Sequence, residues 1–411
     1  MAQLITAASM PVVTRLYTPE LIGVISIYLA FFNFWCSLLS WRYESAMLIT
    51  IDEQESHHLF RLGVVLTALM ALAALPVLGI LKSFNIIGFG VLPSWAPAVA
   101  CMSLLGYGWF MLYRSWLLRL RKVKLISFAA VARSGANAGT RIIAGISGFG
   151  LIGLFIAEVL GSWSALSTLR KKTKDLVLES APAWRTKSII SVGVRYKKYA
   201  QFEMPSVMVN QLAIALPVPI VGALYGVQAA GIFGLARLLY AIPNSQIGKA
   251  VGDVFQMELG RCVRDGNTSQ GRKIFLKLSA ALALIGIVPL LLAIFVAPAL
   301  FPLIFGSDWV MLGVYVAYMA PWMYLALVVS SMSRALSVLE KQEWKLIYDF
   351  ASLAVIVIVY VVTKHVDGDI LLFITMLSVG MTVAYIIYYG LIWVAIKSME
   401  DSRVDVVGRR S

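Results

Sequence analysis

Long apolar stretches recur from one end of this sequence to the other, parted by short polar breaks. Twelve can be marked, at residues 1–14, 21–41, 57–81, 98–113, 125–146, 149–169, 203–220, 228–248, 278–301, 309–333, 346–363 and 369–396. A helix needs about 20 apolar residues to cross a hydrocarbon core of about 30 Å, and most of these stretches come close to that length. Only 14% of the 411 residues are charged, against roughly 25% in a soluble domain, so a water-facing surface cannot be built over so much apolar chain. With lipid as the solvent, backbone polar groups must be satisfied inside each segment, which selects helices. The expected class is an all-α polytopic membrane protein of about twelve transmembrane helices.

Lys and Arg collect on cytoplasmic loops, so their positions test this list. They crowd the loops that follow spans four, six, eight and ten, the region flanking the loop after span two (Arg42, Arg61), and the C-terminal tail. The opposite loops hold only Arg15, Lys82 and Lys364. This alternation places both termini in the cytoplasm. It also reads the net charge of +14 as membrane topology, with no nucleic acid among the expected partners. The widest outer loop, around residues 82–97, has no room for a catalytic domain, so no enzyme is expected. Cys36, Cys101 and Cys262 are far apart, and neither they nor His57, His58 and His365 have a metal-site spacing. Neither a metal nor another cofactor is expected.

Two segments repeat each other half a chain apart. Residues 11–23 read PVVTRLYTPELIG and residues 219–231 read PIVGALYGVQAAG, matching at Pro11/Pro219, Val13/Val221, Leu16/Leu224, Tyr17/Tyr225 and Gly23/Gly231 with an offset of 208. Each copy falls at the first outer turn of a six-span half. Duplicating an even number of spans gives two halves of the same orientation, related by an axis along the membrane normal. The expected organisation is an N-terminal six-helix bundle over 1–169, a basic cytoplasmic linker over 170–202, a C-terminal six-helix bundle over 203–397 and a cytoplasmic tail over 398–411, the two bundles forming a pseudo-twofold parallel repeat. By the same offset the first span looks clipped, since fourteen residues reach only about 21 Å at 1.5 Å per residue.

Several polar side chains fall where lipid is expected. Arg133, Asn137 and Arg141 lie in span five at i, i+4 and i+8, on one helix face. Arg237 lies in span eight, the repeat partner of span two, and Glu158 is the one carboxylate deep in span six. A second stripe, Asn33, Ser37, Ser40 and Glu44, runs through and just past span two. An arginine at the bilayer centre costs about 2.5–3.5 kcal/mol on insertion scales, so these residues should face a protein interior or an edge. The planar fork of arginine suits phosphate. Arg133, Asn137, Arg141, Arg237, Asn33 and Glu44 are therefore candidates for lining a cavity that selects an anionic substrate, with Glu158 a candidate for ion coupling or for neutralising an arginine.

These stretches carry a family resemblance. TRLYTPELIG (14–23), SLLSWRYESAML (37–48), the long run EMPSVMVNQLAIALPVPIVGALYGVQAAGIFGLARLLYAIPNSQIGKAVGDVF (203–255) and LIFGSDW (303–309) resemble the O-antigen-type oligosaccharide flippases of the multidrug/oligosaccharidyl-lipid/polysaccharide exporter superfamily. In that family the first outer turn usually reads R-L-Y-x-P-x-x-[FY]-G; here Ile22 stands at the aromatic position. The resemblance implies a V-shaped pair of bundles working by alternating access in a bacterial inner membrane. It implies a polyprenyl-diphosphate-linked oligosaccharide as cargo, for O-antigen, lipopolysaccharide, exopolysaccharide or capsule assembly. The partners it implies are the lipid-linked oligosaccharide, membrane lipids, a polysaccharide polymerase and glycosyltransferases. A cation-coupled drug antiporter of the same fold is the nearest alternative, and a membrane polysaccharide polymerase or ligase a more distant one.

Overall fold

The computed structural model describes residues 1–178 and 186–408, all of them helical or in short connections. The middle of the expected 170–202 linker, residues 179–185, and the end of the tail, 409–411, lie outside the described residues. The chain packs as two compact units, Met1–Gly231 and Ile232–Ser411.

The first unit contains α1 (Ala2–Leu16), α2 (Pro19–Cys36), the short α3 (Tyr43–Ile49), α4 (Glu53–Ser83), α5 (Ala96–Arg119), α6 (Val123–Ile146), α7 (Gly150–Leu178), α8 (Thr186–Arg195), α9 (Met204–Ala215), α10 (Pro217–Tyr225) and the start of α11 (Val227–Pro243). Local chemistry explains the boundaries. Pro19 opens α2 at a position where no N–H is needed. The Asp52 side chain accepts from the Gln54 amide at 2.9 Å and caps α4. Gly226 takes φ +87° between α10 and α11, a conformation that suits glycine. A π-helical turn, Tyr199–Glu203, leads into α9, so that Tyr199–Tyr225 runs as one membrane-length segment. Trp116, Phe60, Leu112 and Leu117 fill one core between α4 and α5, and indole N–H groups seek backbone carbonyls, as Trp35 Nε1 does on Met70 O at 2.8 Å.

The second unit continues from α11 through a π-helical turn to α12 (Lys249–Asp265), α13 (Thr268–Leu291), a further π-helical turn Leu292–Val296, α14 (Ala297–Phe305), α15 (Val310–Met332), the short α16 (Arg334–Val338), α17 (Gln342–His365) and α18 (Ile370–Gly408). Its core is aromatic and aliphatic: Phe255 and Phe275 meet at 6.1 Å, with Met332, Leu336 and Ile392 packed around them.

Each of the twelve apolar stretches coincides with a helical segment. Nine helices among the described residues are long and apolar enough to cross a membrane. The other three are instructive. The first is α1, 15 residues long, the short span expected from the sequence. The second, α6, carries Arg133, Asn137 and Arg141, and the third, α11, carries Arg237 within 17 residues. On α6 the residues of interest also lower the hydropathy of the helix, whereas α11 falls short by its length. One stretch needs correcting: 21–41 is not a single helix. It ends at Cys36, where the Ser37 hydroxyl donates back to Phe34 O at 2.7 Å, and Trp41 and Arg42 turn left-handed (φ 49° and 65°) before α3.

The repeated element has a structural role. A Cβ on Gly23 would lie 1.9 Å from Val227 O, and a Cβ on Gly231 would lie 2.0 Å from Pro19 O. Val227 is the repeat counterpart of Pro19, as Gly231 is of Gly23. The two copies thus cross reciprocally, each glycine seated on the other copy's helix start, as a twofold relation between the copies requires. Both partners are backbone, which cannot swing aside. Alanine at Gly23 or Gly231 is therefore expected to lower the yield of folded, monodisperse protein, by overpacking of about 1–3 kcal/mol or more. Gly79→Ala, at a position with nothing within 4 Å, is the control and should behave as wild type in the same size-exclusion assay.

Candidate functional site

The polar centre of the first unit is built on two packed helices. The α6 helix lines up Arg133, Asn137 and Arg141 because i, i+4 and i+8 share a face. The α7 helix lies close against it at Gly161, where a Cβ would sit 3.3 Å from Asn137 Cβ and 3.4 Å from Arg133 O. Glu158, one turn before that glycine, is only 5% exposed. Its Oε1 accepts from Arg141 Nη2 at 2.7 Å and from Asn137 Nδ2 at 2.7 Å, and Asn137 also donates to Ala157 O at 3.2 Å. The Tyr17 hydroxyl, from the first copy of the repeat, donates to Arg141 O at 2.8 Å. Sequence spacing alone put Arg141 and Glu158 on neighbouring spans; the structure makes them a buried ion pair, with side chains 10% and 6% exposed. Arg141 Nε finds no acceptor among the described residues.

Arg133 is treated differently. It is half-buried, and its guanidinium lies 4.4 Å from the ring centroid of Tyr107 on α5, a cation–π contact that leaves the charge in place. Glu158 is already engaged by Arg141 and Asn137.

The second unit has its own polar centre. Arg237, half-buried on α11, interacts electrostatically with Tyr385 of α18. Tyr348 of α17 stacks on Tyr388 of α18 at 4.0 Å and 10°, and beside it Asp349, 1% exposed, accepts from Lys345 at 2.6 Å. The sequence reading passed over Asp349. The signal was available: an acidic residue one turn inside the apolar run 346–363.

Asn33 and Glu44 do not form the continuous stripe expected of them. The helix that would have aligned them breaks after Cys36. Asn33 stays exposed on α2, while Glu44 lies on α3. There Glu44 accepts from Ser40 and, at 3.1 Å, from Arg42, whose Nε reaches Glu203 at 3.0 Å. The left-handed Trp41–Arg42 turn makes this four-residue network, and Glu203 was invisible as a partner because 161 residues separate it from Arg42. A similar long-range tie joins Arg195 and Tyr196 to Glu55. Burial, followed by the hydrogen bond to Glu55, pushes the Tyr196 phenol above its ordinary pKa.

The Arg141–Glu158 pair yields a direct test. Removing one partner of a buried pair strands a charge, at about 3–5 kcal/mol, whereas replacing both with apolar groups of similar volume is often neutral. Arg141→Met and Glu158→Leu should each lower the level of folded protein in the membrane, and the double variant should recover most of it. Additive losses in the double variant, read by quantitative immunoblot, would contradict a structural pair.

Comparison with known proteins bears on the whole chain. Residues 12–314 match the family model described as "Polysaccharide biosynthesis protein". No curated protein matches. Among solved structures, the chain is similar to the inward-facing conformation of a multidrug resistance MATE family transporter of the MOP superfamily (16% identity, 98% of this chain and 96% of that one, TM-score 0.74). It is also similar to the lipid II flippase MurJ in an inward closed conformation (15% identity, 96% and 86%, TM-score 0.72). A third likeness is to a MOP superfamily transporter from Pyrococcus furiosus, whose description stresses a reverse polarity of its binding pocket (15% identity, 97% and 91%, TM-score 0.57). At these identities the likenesses establish the fold, that of the MOP superfamily transporters. With the family model matched across most of its length, this multi-pass membrane chain belongs to the polysaccharide biosynthesis protein family.

Proposed function

We propose that the protein is a flippase that carries a polyprenyl-diphosphate-linked oligosaccharide across the cytoplasmic membrane of a bacterium by alternating access. The cargo serves assembly of O-antigen, exopolysaccharide or capsule, alongside a polymerase and glycosyltransferases. Two six-helix bundles, 1–169 and 203–397, do the work, with both termini in the cytoplasm. The family membership and the fold support transport. The observation that carries an anionic cargo is Arg133: a guanidinium in the middle of α6 stacked on a neutral ring, while the nearby carboxylate of Glu158 is taken by Arg141. The cation–π contact leaves the guanidinium charged, and its planar fork matches the oxygens of a diphosphate. Arg237, mid-helix in the second unit, is the second proposed contact. The drug-antiporter alternative calls for acidic groups facing the cargo, and Glu158 is committed to Arg141.

Arg133→Ala and Arg237→Ala should abolish surface polysaccharide in a complementation assay at unchanged protein level. A charge-assisted contact of roughly 1.5–3 kcal/mol corresponds to about a ten- to hundredfold loss of carrier binding. Lysine at either position should restore only part, since it keeps the charge and loses the fork. Full complementation by both alanine variants would end the assignment. The topology is checked separately: reporter fusions after Lys198 and Arg410 should read cytoplasmic and one at Ser307 periplasmic, and a periplasmic C-terminus would break the twelve-span arrangement.

A further inference from the structure

The second unit contains an apolar cavity of about 310 Å³ between α11, α15 and the bent α13–α14 rod. Its origin is geometric. The rod touches α15 closely at two glycines: a Cβ on Gly286 would lie 3.0 Å from the Tyr324 ring, and a Cβ on Gly313 would lie 2.4 Å from Ala297 O. Between these clamps, Pro289 removes a backbone donor and the π-helical turn Leu292–Val296 widens the rod. The slot lies alongside this widened stretch, closed on another side by Leu239 and Tyr240 of α11. From Gly286 to Ala297 it runs about 16 Å at 1.5 Å per residue.

Apart from Asn244 at one end, the slot offers little free polarity. Tyr240 and Tyr324 both line it, yet their hydroxyls are spent on backbone carbonyls, Tyr240 on Val316 O at 2.9 Å and Tyr324 on Ala283 O at 3.1 Å. Ala293 and Ala320 form facing walls, 8% and 1% exposed. The slot is open along one side, where Leu292, Val296 and Leu300 line it while remaining 51%, 39% and 41% exposed. An apolar cavity of this kind does not hold water, and one this long and narrow fits a chain better than a globular group. What singles out the occupant is the neighbouring charge. Tyr240 stands three residues after Arg237 on the same face of α11, so the slot begins one helical turn from a cationic residue of the same helix. Apolar slot plus adjacent cation is the complement of a lipid diphosphate.

We propose that this slot holds one hydrocarbon chain, the diphosphate-proximal end of the isoprenoid carrier, while Arg237 takes the anionic head. The proposal rests on the flippase reading and assigns the carrier's tail a place that reading leaves open. It also separates two contributions to binding, head at Arg237 and tail between Ala293 and Ala320.

The test uses the full-length protein in lipid nanodiscs, with farnesyl diphosphate, inorganic pyrophosphate and farnesol as probes of binding. Farnesyl diphosphate should bind wild type at least about tenfold more tightly than pyrophosphate, as burial of several chain carbons requires. Ala293→Phe and Ala320→Phe fill the slot from opposite walls. Each should bring farnesyl diphosphate down to the affinity of pyrophosphate while pyrophosphate binding persists, which also reports that the variant is folded. Arg237→Ala should weaken both diphosphates. Unchanged farnesyl diphosphate binding in both filled variants overturns the tail site and leaves the head reading standing. Loss of pyrophosphate binding in both overturns the separation of head and tail. If farnesol binds wild type and neither diphosphate does, the slot accepts a chain and the flippase reading fails. Binding of none of the three probes, or a tightly held phospholipid that farnesyl diphosphate does not displace, overturns the proposal.

Discussion

An ionised side chain within a bilayer must find its partner inside the protein, because lipid offers none. That constraint organises the first unit. Glu158 receives Arg141 and Asn137 on a single oxygen, and the backbone of Arg141 is in turn held by Tyr17. The close approach of α6 to α7 at Gly161 brings these groups within reach. A helix pair that packed with bulkier residues there would stand the charges apart and leave each exposed to hydrocarbon. Arg133 meets the same demand by another route, a π face in place of a counter-ion. The difference matters chemically: an ion pair cancels a charge, whereas a cation–π contact leaves it positive.

The second organising contact is made of backbone. Gly23 and Gly231 each sit on the opening residues of the other copy's helix, and their reciprocity explains why a thirteen-residue element occurs twice. Of the shared residues, Tyr17 also ties this element to the polar centre through Arg141. In the first copy, then, one short motif supplies both a helix crossing that tolerates no side chain and an anchor for the buried ion pair. That coupling is a physical reason for the motif to keep its glycine and its tyrosine together.

The helical class, the twelve segments and the α6 face were legible because each depends on local pattern alone. Hydropathy marks a span and 3.6-residue periodicity marks a face, and neither needs knowledge of what lies opposite. The failures come where the deciding contact is distant or where backbone geometry overrides pattern. The stripe from Asn33 to Glu44 has helical spacing, but Trp41 and Arg42 adopt left-handed conformations that no apolar count reveals. The partners of Glu44 and Arg42 then include Glu203, a residue from the far side of the basic linker. The pairing of Arg141 with Glu158 was not legible either, because spacing shows which residues share a face and not which neighbour neutralises them. Asp349 was missed because it lies near the end of an apolar run, where Lys345 one turn earlier looked like an ordinary interfacial cation.

Departures from regular helix occur at the start of α9 and, twice, beside the apolar slot of the second unit. Regular helices held by glycine contacts close onto each other, as at Gly23, Gly161 and Gly313. A cavity within a bundle therefore needs a device that keeps helices apart between such contacts. Pro289 and the π-helical turn at Leu292–Val296 lie between the glycine contacts of α13–α14 with α15 at Gly286 and Gly313, and both line the slot. The π-helical turn at Asn244–Gly248 follows directly after the helix that carries Arg237 and Tyr240. In a protein whose solvent is hydrocarbon, departing from regular helix costs backbone hydrogen bonds that lipid cannot replace. Two of the three such turns among the described residues border the same apolar slot, so its walls carry a backbone cost that regular helices would avoid.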